Sequence, residues 1–314
     1  MIEHNQSKKK YALKYIHKIE CAKSRSTRNI FRERIILQQI QHSHILNLRY
    51  AFQDDEYLFF VLDLALGGDL KHNIRTEYGF DGYTLKVYAC ELSSALNYLH
   101  INQIIHRDLK PDNIVLDLEG HPYITDFNCS VSLKERIPDS EAGTLEYMGK
   151  LNLIIELTPL FVAPEMFARK QYKYSVDWWS LGVILYQCCY GISLFKEANS
   201  KMTIHSILTK PITFEANGVK ATPNPARDDF LDSLLCRDVT KRLGSSNEGL
   251  GFKNDIVTHT WFEGIDWELV DTKQLLPLYI PKVNWILFNP NSKSKYSREK
   301  KLKELMVQRM IFYQ

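Results

Sequence analysis

The sequence predicts an α+β fold in two unequal parts, and three observations predict it. Within residues 1–65 the apolar pattern runs strand, helix, strand, strand. Gly67 and Gly68 then punctuate the chain. Beyond them the apolar spacing is mostly helical as far as residue 262.

The elements follow in order. Residues 1–5 read as the end of a strand and 6–10 as its turn, while 11–16 alternate and read as the next strand. Across 27–41, Ile30, Phe31, Ile35, Leu37 and Ile40 recur at helical spacing. Residues 46–52 and 57–62 read as two strands, joined by the polar turn of Gln53, Asp54, Asp55 and Glu56. In the second part, 84–102 carries Leu85, Tyr88, Leu92, Leu96 and Leu99 on one helical face. Residues 121–124 read as a strand. The almost wholly apolar run 177–190 predicts a buried central helix, with Trp178, Trp179, Cys188 and Cys189 as core. Residues 226–235 and 256–262 supply further helical pieces, and 293–309 a basic helical tail with a solvated face.

Composition sets limits without choosing a function. A chain of 314 residues, 45% hydrophobic and 25% charged, can bury the core of one large domain or two smaller ones. A net charge of +3 is too small to argue for nucleic acid or a membrane surface. No apolar stretch reaches the roughly 18 residues a membrane helix needs; the longest, 151–162, is broken by Glu156 and Pro159. The polar N-terminus is not a signal peptide, and position 2 is not glycine, so myristoylation is not expected. Six cysteines without a C-x-x-C pair read as reduced thiols of a cytoplasmic protein, with the nucleus as the alternative. His42 and His44 read as solvated loop residues, and Gly249 to Gly251 as a turn.

The chemistry is concentrated in His106-Arg107-Asp108-Leu109-Lys110-Pro111-Asp112-Asn113. Phosphoryl transfer needs an acceptor for the hydroxyl proton, a cation near the moving phosphate and a metal ligand. Asp108, Lys110 and Asn113 offer all three from one short loop. Thirteen residues later Asp126, after a strand, offers a carboxylate for magnesium. Upstream, Lys14 lies on a strand and Glu33 on the following helix, where the two can pair and hold nucleotide phosphates. Ala163-Pro164-Glu165, Asp177 to Gly182 and Lys241 to Gly244 complete the series.

In this order and spacing the chain resembles the eukaryotic protein kinases from Tyr11 to Phe262. Lys110, and Gly143-Thr144 ahead of Tyr147, look like the Ser/Thr type. Thr240 to Gly244, then His259 to Phe262 and a proline-containing tail, look like the AGC group. Asp126-Phe127-Asn128 in place of Asp-Phe-Gly, with Gly67-Gly68-Asp69-Leu70, is most similar to the YANK subfamily. The resemblance implies a bilobal fold with a nucleotide cleft, ATP and Mg²⁺, and a protein substrate. It implies that Asp63 and Ala65 bond the adenine edge, that Leu62 is the gatekeeper and that Val115 is the floor beneath the base. Asp69 would meet a ribose hydroxyl or a substrate arginine. Leu37, Leu48, His106 and Phe127 would stack between the lobes on a base fixed by Asp177, and Glu165 would pair with Arg242 inside the large lobe. Ser140, four residues before Thr144, aligns with the activation phosphosite, and Glu141 beside it can stand in part for a phosphate.

Four departures stand out. No glycine precedes Lys14, so the glycine-rich loop over the phosphates is expected to be missing. Asn128 replaces a glycine and is expected at positive φ, restraining Asp126 without removing it. Residues 149–162 interrupt the run that would join Met148 to Ala163; this apolar insertion reads as translated intron, with a regulatory plug as the alternative. Gln187 stands where relatives often carry Glu, so only a modest preference for basic residues upstream of the target is expected from Asp69 and Asp112.

The expected organisation is an incomplete small lobe (1–65), a large lobe (66–262, with 149–162 inserted) and a tail (263–314). The expected function is ATP-dependent phosphorylation of protein Ser/Thr by a monomer. The alternative is a catalytically impaired kinase-like scaffold or nucleotide-binding module.

Overall fold

The computed structural model describes residues 1–23, 26–134, 159–167, 172–214, 222–245 and 253–282. A four-stranded antiparallel sheet opens the chain: β1 (Ile2–Glu3), β2 (Lys10–His17), β3 (Leu48–Gln53) and β4 (Tyr57–Leu62), in the order β1-β2-β4-β3. Two helices, α1 (Lys18–Lys23) and α2 (Thr27–Gln39), lie between β2 and β3. Alternation along β2 sorts its side chains. Tyr11 and Leu13 pack with Val61 and Tyr50 on one face, while Ile16 joins Phe60, Cys21 and Ile30 on the other. Lys14, two residues from Ile16, therefore stands on the face that α2 covers.

The expected helix over 27–41 forms, but its buried face is rotated. Ile30, Glu33, Ile36, Leu37 and Ile40 are buried, whereas Phe31 is 44% exposed and Ile35 only half-buried. Two adjacent isoleucines at 35 and 36 gave both choices the right spacing, and packing against the large lobe selected Ile36. Helix α1 was not expected; its six residues carry too short a pattern to register.

The large lobe is helical around α4 (Gly82–Ile101) and α6 (Ser175–Tyr190), with α3 (Leu70–Glu77), α5 (Pro164–Phe167), α7 (Ser200–Thr209) and α8 (Pro225–Leu234) around them. The Asp81 carboxylate starts α4 by accepting from the N–H groups of Tyr83 and Thr84. Helix α6 is buried on all sides, with Trp178 and Trp179 fully enclosed as expected; such burial contributes roughly 1.5–3 kcal/mol per large side chain. It stops at Gly191, at φ 69°, where a Cβ would lie 2.6 Å from the Tyr78 carbonyl oxygen. Cys188 and Cys189 are inert core thiols; burial pushes Cys189 up to about 11 and Cys188 well above its ordinary value.

Two short antiparallel strand pairs follow: β5 (Ile104–Ile105) pairs with β8 (Val131–Ser132), and between them in the chain β6 (Ile114–Leu116) pairs with β7 (Pro122–Ile124). The segment 106–113 runs from β5 to β6, and 125–130 from β7 to β8. Two paired strand ends thus fix both chemistry-bearing loops side by side. Helices α9 (Lys253–Val257) and α10 (Trp267–Asp271) lead into the tail. There Leu278 and Tyr279 donate backbone N–H groups to Thr84 Oγ1, and Tyr279 donates its hydroxyl to Asn73 Oδ1 at 2.6 Å.

That tail overturns the reading of His42 and His44 as solvated. His44 is fully buried, with Nε2 2.9 Å from the Val270 carbonyl oxygen of α10, and His42 is partly buried. Burial pushes both imidazoles down to about 4. Beneath them Glu91 of α4, pushed up to about 7 by burial, bonds His121 Nδ1 at 2.6 Å.

The end of the apolar stretch 149–162 is also core. Pro159 and Val162 are buried, and the Phe161 carbonyl accepts from Ser180 Oγ at 2.8 Å. These residues pack against α6. The earlier part of the stretch, with Ser140, Glu141 and Thr144, lies outside the described residues, as do 249–251 and 293–309. Among the described residues no helix is long and apolar enough to cross a membrane.

Candidate active site

Lys14 on β2 and Glu33 on α2 meet across the small lobe at 2.6 Å. Glu33 sits on the buried face of its helix at 2% exposure. A charge there is tolerated because it has a partner. The same lysine is 3.6 Å from Asp126, which the large lobe supplies. Lys14, Glu33, Leu62 and Asp126, with Phe127 and Asn128, line a cavity of about 290 Å³.

The loop after β5 brings the other three predicted residues together. Lys110 Nζ lies 2.8 Å from Asp108 Oδ2. The Asn113 amide donates to the Asp108 carbonyl at 2.8 Å and to its carboxylate at 3.1 Å. With its N–H₂ group occupied in this way, Asn113 keeps its amide oxygen as the end able to ligate a cation. The two loops are stitched together by Thr125, whose N–H donates to the Asn113 carbonyl at 3.0 Å.

The support beneath this loop is buried. Asp177 accepts from the backbone N–H groups of His106 and Arg107, both at 2.8 Å, and from His100 Nε2 at 2.9 Å. Burial works against its charge, but these bonds outweigh it and hold the carboxyl below its ordinary range. Arg107 is left-handed, at φ 67°, and donates its Nε–H to the Cys129 carbonyl at 2.7 Å. The rings of His106 and Phe127 meet edge to face at 5.1 Å, beside buried Leu37 and half-buried Leu48. Glu165 and Arg242 form a two-pronged ion pair at 2.6 and 3.0 Å. Both sets were expected from the sequence.

Asn128 corrects its expectation. The positive φ of this segment falls on Asp126, at 63°, and Asn128 sits in a 3₁₀ turn. Its amide donates to Asp126 Oδ1 at 3.0 Å. The strained backbone thus belongs to the carboxylate residue itself, and the asparagine side chain braces it.

The remaining predicted residues lie along the connection between the lobes. Asp63 follows β4; its carboxylate takes a two-pronged bond from Arg49, both prongs 2.7 Å, and another from Asn47. Burial opposes its charge, but these partners hold its carboxyl below the ordinary range. Ala65 is half-buried in the connection, and Val115 on β6 forms an antiparallel bridge with Asp69. Asp69 also caps α3, accepting from the His72 N–H at 2.8 Å. Asp112 is bound by Lys71 of α3 at 2.6 Å. Sequence reasoning missed Arg49, Lys71 and Thr125; the first two are visible only as charges of the right sign at unpredictable distances in the chain.

The oxygen donors here fit Mg²⁺, which takes one or two carboxylates and keeps other positions for water and phosphate. Asp126 and Asn113 would hold it, beside the cation Lys14.

Comparison with known proteins agrees with this geometry. The family model described as protein kinase domain matches residues 1–262. The chain is 35% identical over 285 residues to the serine/threonine-protein kinase Sgk1 of Xenopus tropicalis, covering 90% of this chain and 63% of the relative. It is 37% identical over 288 residues to human serine/threonine-protein kinase 32B, covering 90% and 64%. It is 36% identical over 276 residues to protein kinase 2 of Dictyostelium discoideum, covering 87% and 52%. The chain thus spans less than two thirds of the length of these relatives.

Proposed function

The chain belongs to the protein kinase family, and from that premise we propose that it transfers the γ-phosphoryl group of ATP to Ser or Thr hydroxyls of proteins. The observation that carries this reading is the junction of Lys14, Glu33 and Asp126 with the bonded set Asp108, Lys110 and Asn113 through Thr125. Six groups from four segments converge, and each has a task in phosphoryl transfer.

In this reading Asp108 accepts the hydroxyl proton and orients the oxygen for in-line attack. Lys110, beside it, offsets the charge of the moving phosphoryl group. Lys14, steered by Glu33, holds the phosphates on the other side. Mg²⁺, held by Asp126 and Asn113, would neutralise charge on the phosphate oxygens. Asp63 and Ala65 present backbone groups to adenine, between Leu62 and Val115. Ser140 and Thr144 belong to the segment that receives the substrate.

A preference for basic residues upstream of the target rests on Asp69 and Asp112. Lys71 already occupies Asp112, so the preference is weak, and Lys71→Ala should strengthen it. The 149–162 stretch is read as an insertion, the enzyme as a cytoplasmic monomer and its subfamily as YANK-like, on Asp126-Phe127-Asn128.

The test is transfer from labelled ATP and Mg²⁺ to a mixed Ser/Thr peptide library, with Asp126→Ala alongside. Labelling by the parent chain and a loss of about 10³-fold or more in the variant support the reading. A folded parent chain that binds ATP without transfer would identify a nucleotide-binding module instead.

A further inference from the structure

Lys273, just beyond α10, joins a strained backbone to a half-buried cation. Its φ is 58°, in the left-handed region, and its N–H closes the helix on the Val270 carbonyl at 3.1 Å. Glycine is the residue such a helix end favours, so a lysine there holds strain. Its ammonium donates to the Tyr123 hydroxyl on β7 and lies 4.0 Å from the centre of that ring. Tyr123 in turn donates to Asp117 Oδ2 at 2.8 Å. The other oxygen of Asp117 accepts the N–H groups of Glu119 and His121, at 3.0 and 2.9 Å, and so shapes the turn between β6 and β7.

These bonds lead to the cleft. Val115 and Tyr123 lie directly opposite one another in the β6–β7 pair. Opposed residues of antiparallel strands stand on the same face, about 5 Å apart. The face that carries Val115 therefore carries Tyr123 beside it. Strand β6 is tied to the connection between the lobes by backbone bonds, from the Gly67 N–H to the Leu116 carbonyl at 2.7 Å and from the Leu116 N–H to the Gly68 carbonyl at 2.9 Å. The Tyr123 hydroxyl is held in two ways: by Asp117 from the adjoining turn, and by Lys273 from the tail. Burial lowers the lysine below its ordinary range, while Asp117, Glu91 and Asp63 favour its charge. Asp63 belongs to the connection itself.

We propose that Lys273 is a positioning residue for the nucleotide, bracing Tyr123 so that its neighbour Val115 stands at a fixed height beneath adenine. This role rests on the reading of Val115 as the floor of the adenine site. It gives the tail a part in binding the adenosine half of ATP. The transfer step should not feel it, because none of the bonds described for Lys273 reaches Asp108, Lys110, Asn113 or Asp126. The phosphate half, held by Lys14 on the opposite lobe, should not feel it either.

The test compares the parent chain with Lys273→Gly in KM and kcat for ATP, and in calorimetric affinity for adenosine and for inorganic tripolyphosphate with Mg²⁺. Glycine suits the left-handed position, so this variant removes the ammonium without straining the backbone. KM for ATP and the Kd of adenosine should rise about five- to tenfold, while kcat and the affinity for tripolyphosphate stay within about twofold. Lys273→Arg keeps a cation there and should hold both raised quantities within about threefold of the parent. Tyr123→Phe keeps the ring and loses both bonds; it should show the same split, and it decides the matter if Lys273→Gly does not fold. Unchanged KM and adenosine affinity in the folded variants would overturn the proposal. So would equal losses for adenosine and tripolyphosphate, which would make Lys273 a general prop of the fold. A folded parent chain that binds none of the three ligands would overturn the nucleotide reading, and this role with it.

Discussion

The two halves of the cleft are held by different means. On the large-lobe side, Asp108, Lys110 and Asn113 bond one another within six residues, over an Asp177 that is wholly buried and takes three further bonds. On the small-lobe side, Lys14 and Glu33 come from separate elements and meet through one ion pair, with Lys14 partly open to solvent. Local, buried bonding makes the first half a fixed part of the fold. A single pair across two elements makes the second dependent on where α2 stands. The difference teaches that stability and activity should separate between the two halves.

The largest expected effect breaks the fixed half. Asp177→Ala leaves the N–H groups of His106 and Arg107 and the His100 ring without their carboxylate inside the core. Urea unfolding should show a loss of about 3–5 kcal/mol, with transfer lost alongside. Glu33→Gln should do the reverse: transfer falls about 10- to 100-fold, while unfolding shifts by about 1 kcal/mol or less, because the neutral amide buries no charge and Lys14 keeps its contact with solvent. Equal stability losses in the two variants would erase the distinction.

A smaller effect sharpens it. Asn128 braces Asp126, the large-lobe carboxylate 3.6 Å from Lys14. Asn128→Gly should free the carboxylate and raise the Mg²⁺ concentration for half-maximal ATP binding about two- to fivefold, read by calorimetry. An unchanged Mg²⁺ dependence would mean that the bond does not hold the ligand in place.

The smallest effect concerns pH and the tail. His44 has a folded value near 4 and an ordinary value of 6.5. Its contribution to stability is complete above 6.5 and lost as pH falls towards 4. Glu91 runs the other way: its folded value near 7 stands above its ordinary 4.5, so its contribution is complete below 4.5 and lost as pH rises through 7. His44→Phe removes the first and leaves the second. Between pH 7 and 5 its urea midpoint should fall less than that of the parent chain, at a cost of about 1 kcal/mol at pH 7 from the lost bond to Val270. Parallel pH profiles would contradict the burial of His44 against α10.

What the sequence made legible was the chemistry. Lys14, Glu33, Asp108, Lys110, Asn113 and Asp126 were each expected in place, because phosphoryl transfer constrains both residue type and order. The fixed pairs Asp177–His106 and Glu165–Arg242 were legible through the resemblance. His44 was not, because its cover comes from Val270, 226 positions away, and no local pattern reports such a contact. Asn128 was singled out for its backbone, whereas its side chain bonds Asp126; residue type showed that something had changed there, and only geometry showed what. Pro159 to Val162 read as part of an insertion because deleting 149–162 joins Met148 to Ala163. Their packing was not legible, since the Phe161 carbonyl meets Ser180 Oγ, 19 positions away.

One measurement tests the central claim most directly: Mg²⁺-dependent ATP binding and phosphoryl transfer, followed on the same samples of the parent chain, Asp108→Asn and Asp126→Ala. The assigned roles require that Asp108→Asn still bind ATP with Mg²⁺ while transfer falls about 10²- to 10⁴-fold, and that Asp126→Ala lose both. Transfer by Asp108→Asn at the rate of the parent chain would contradict the account, since the hydroxyl proton would then be leaving by another route.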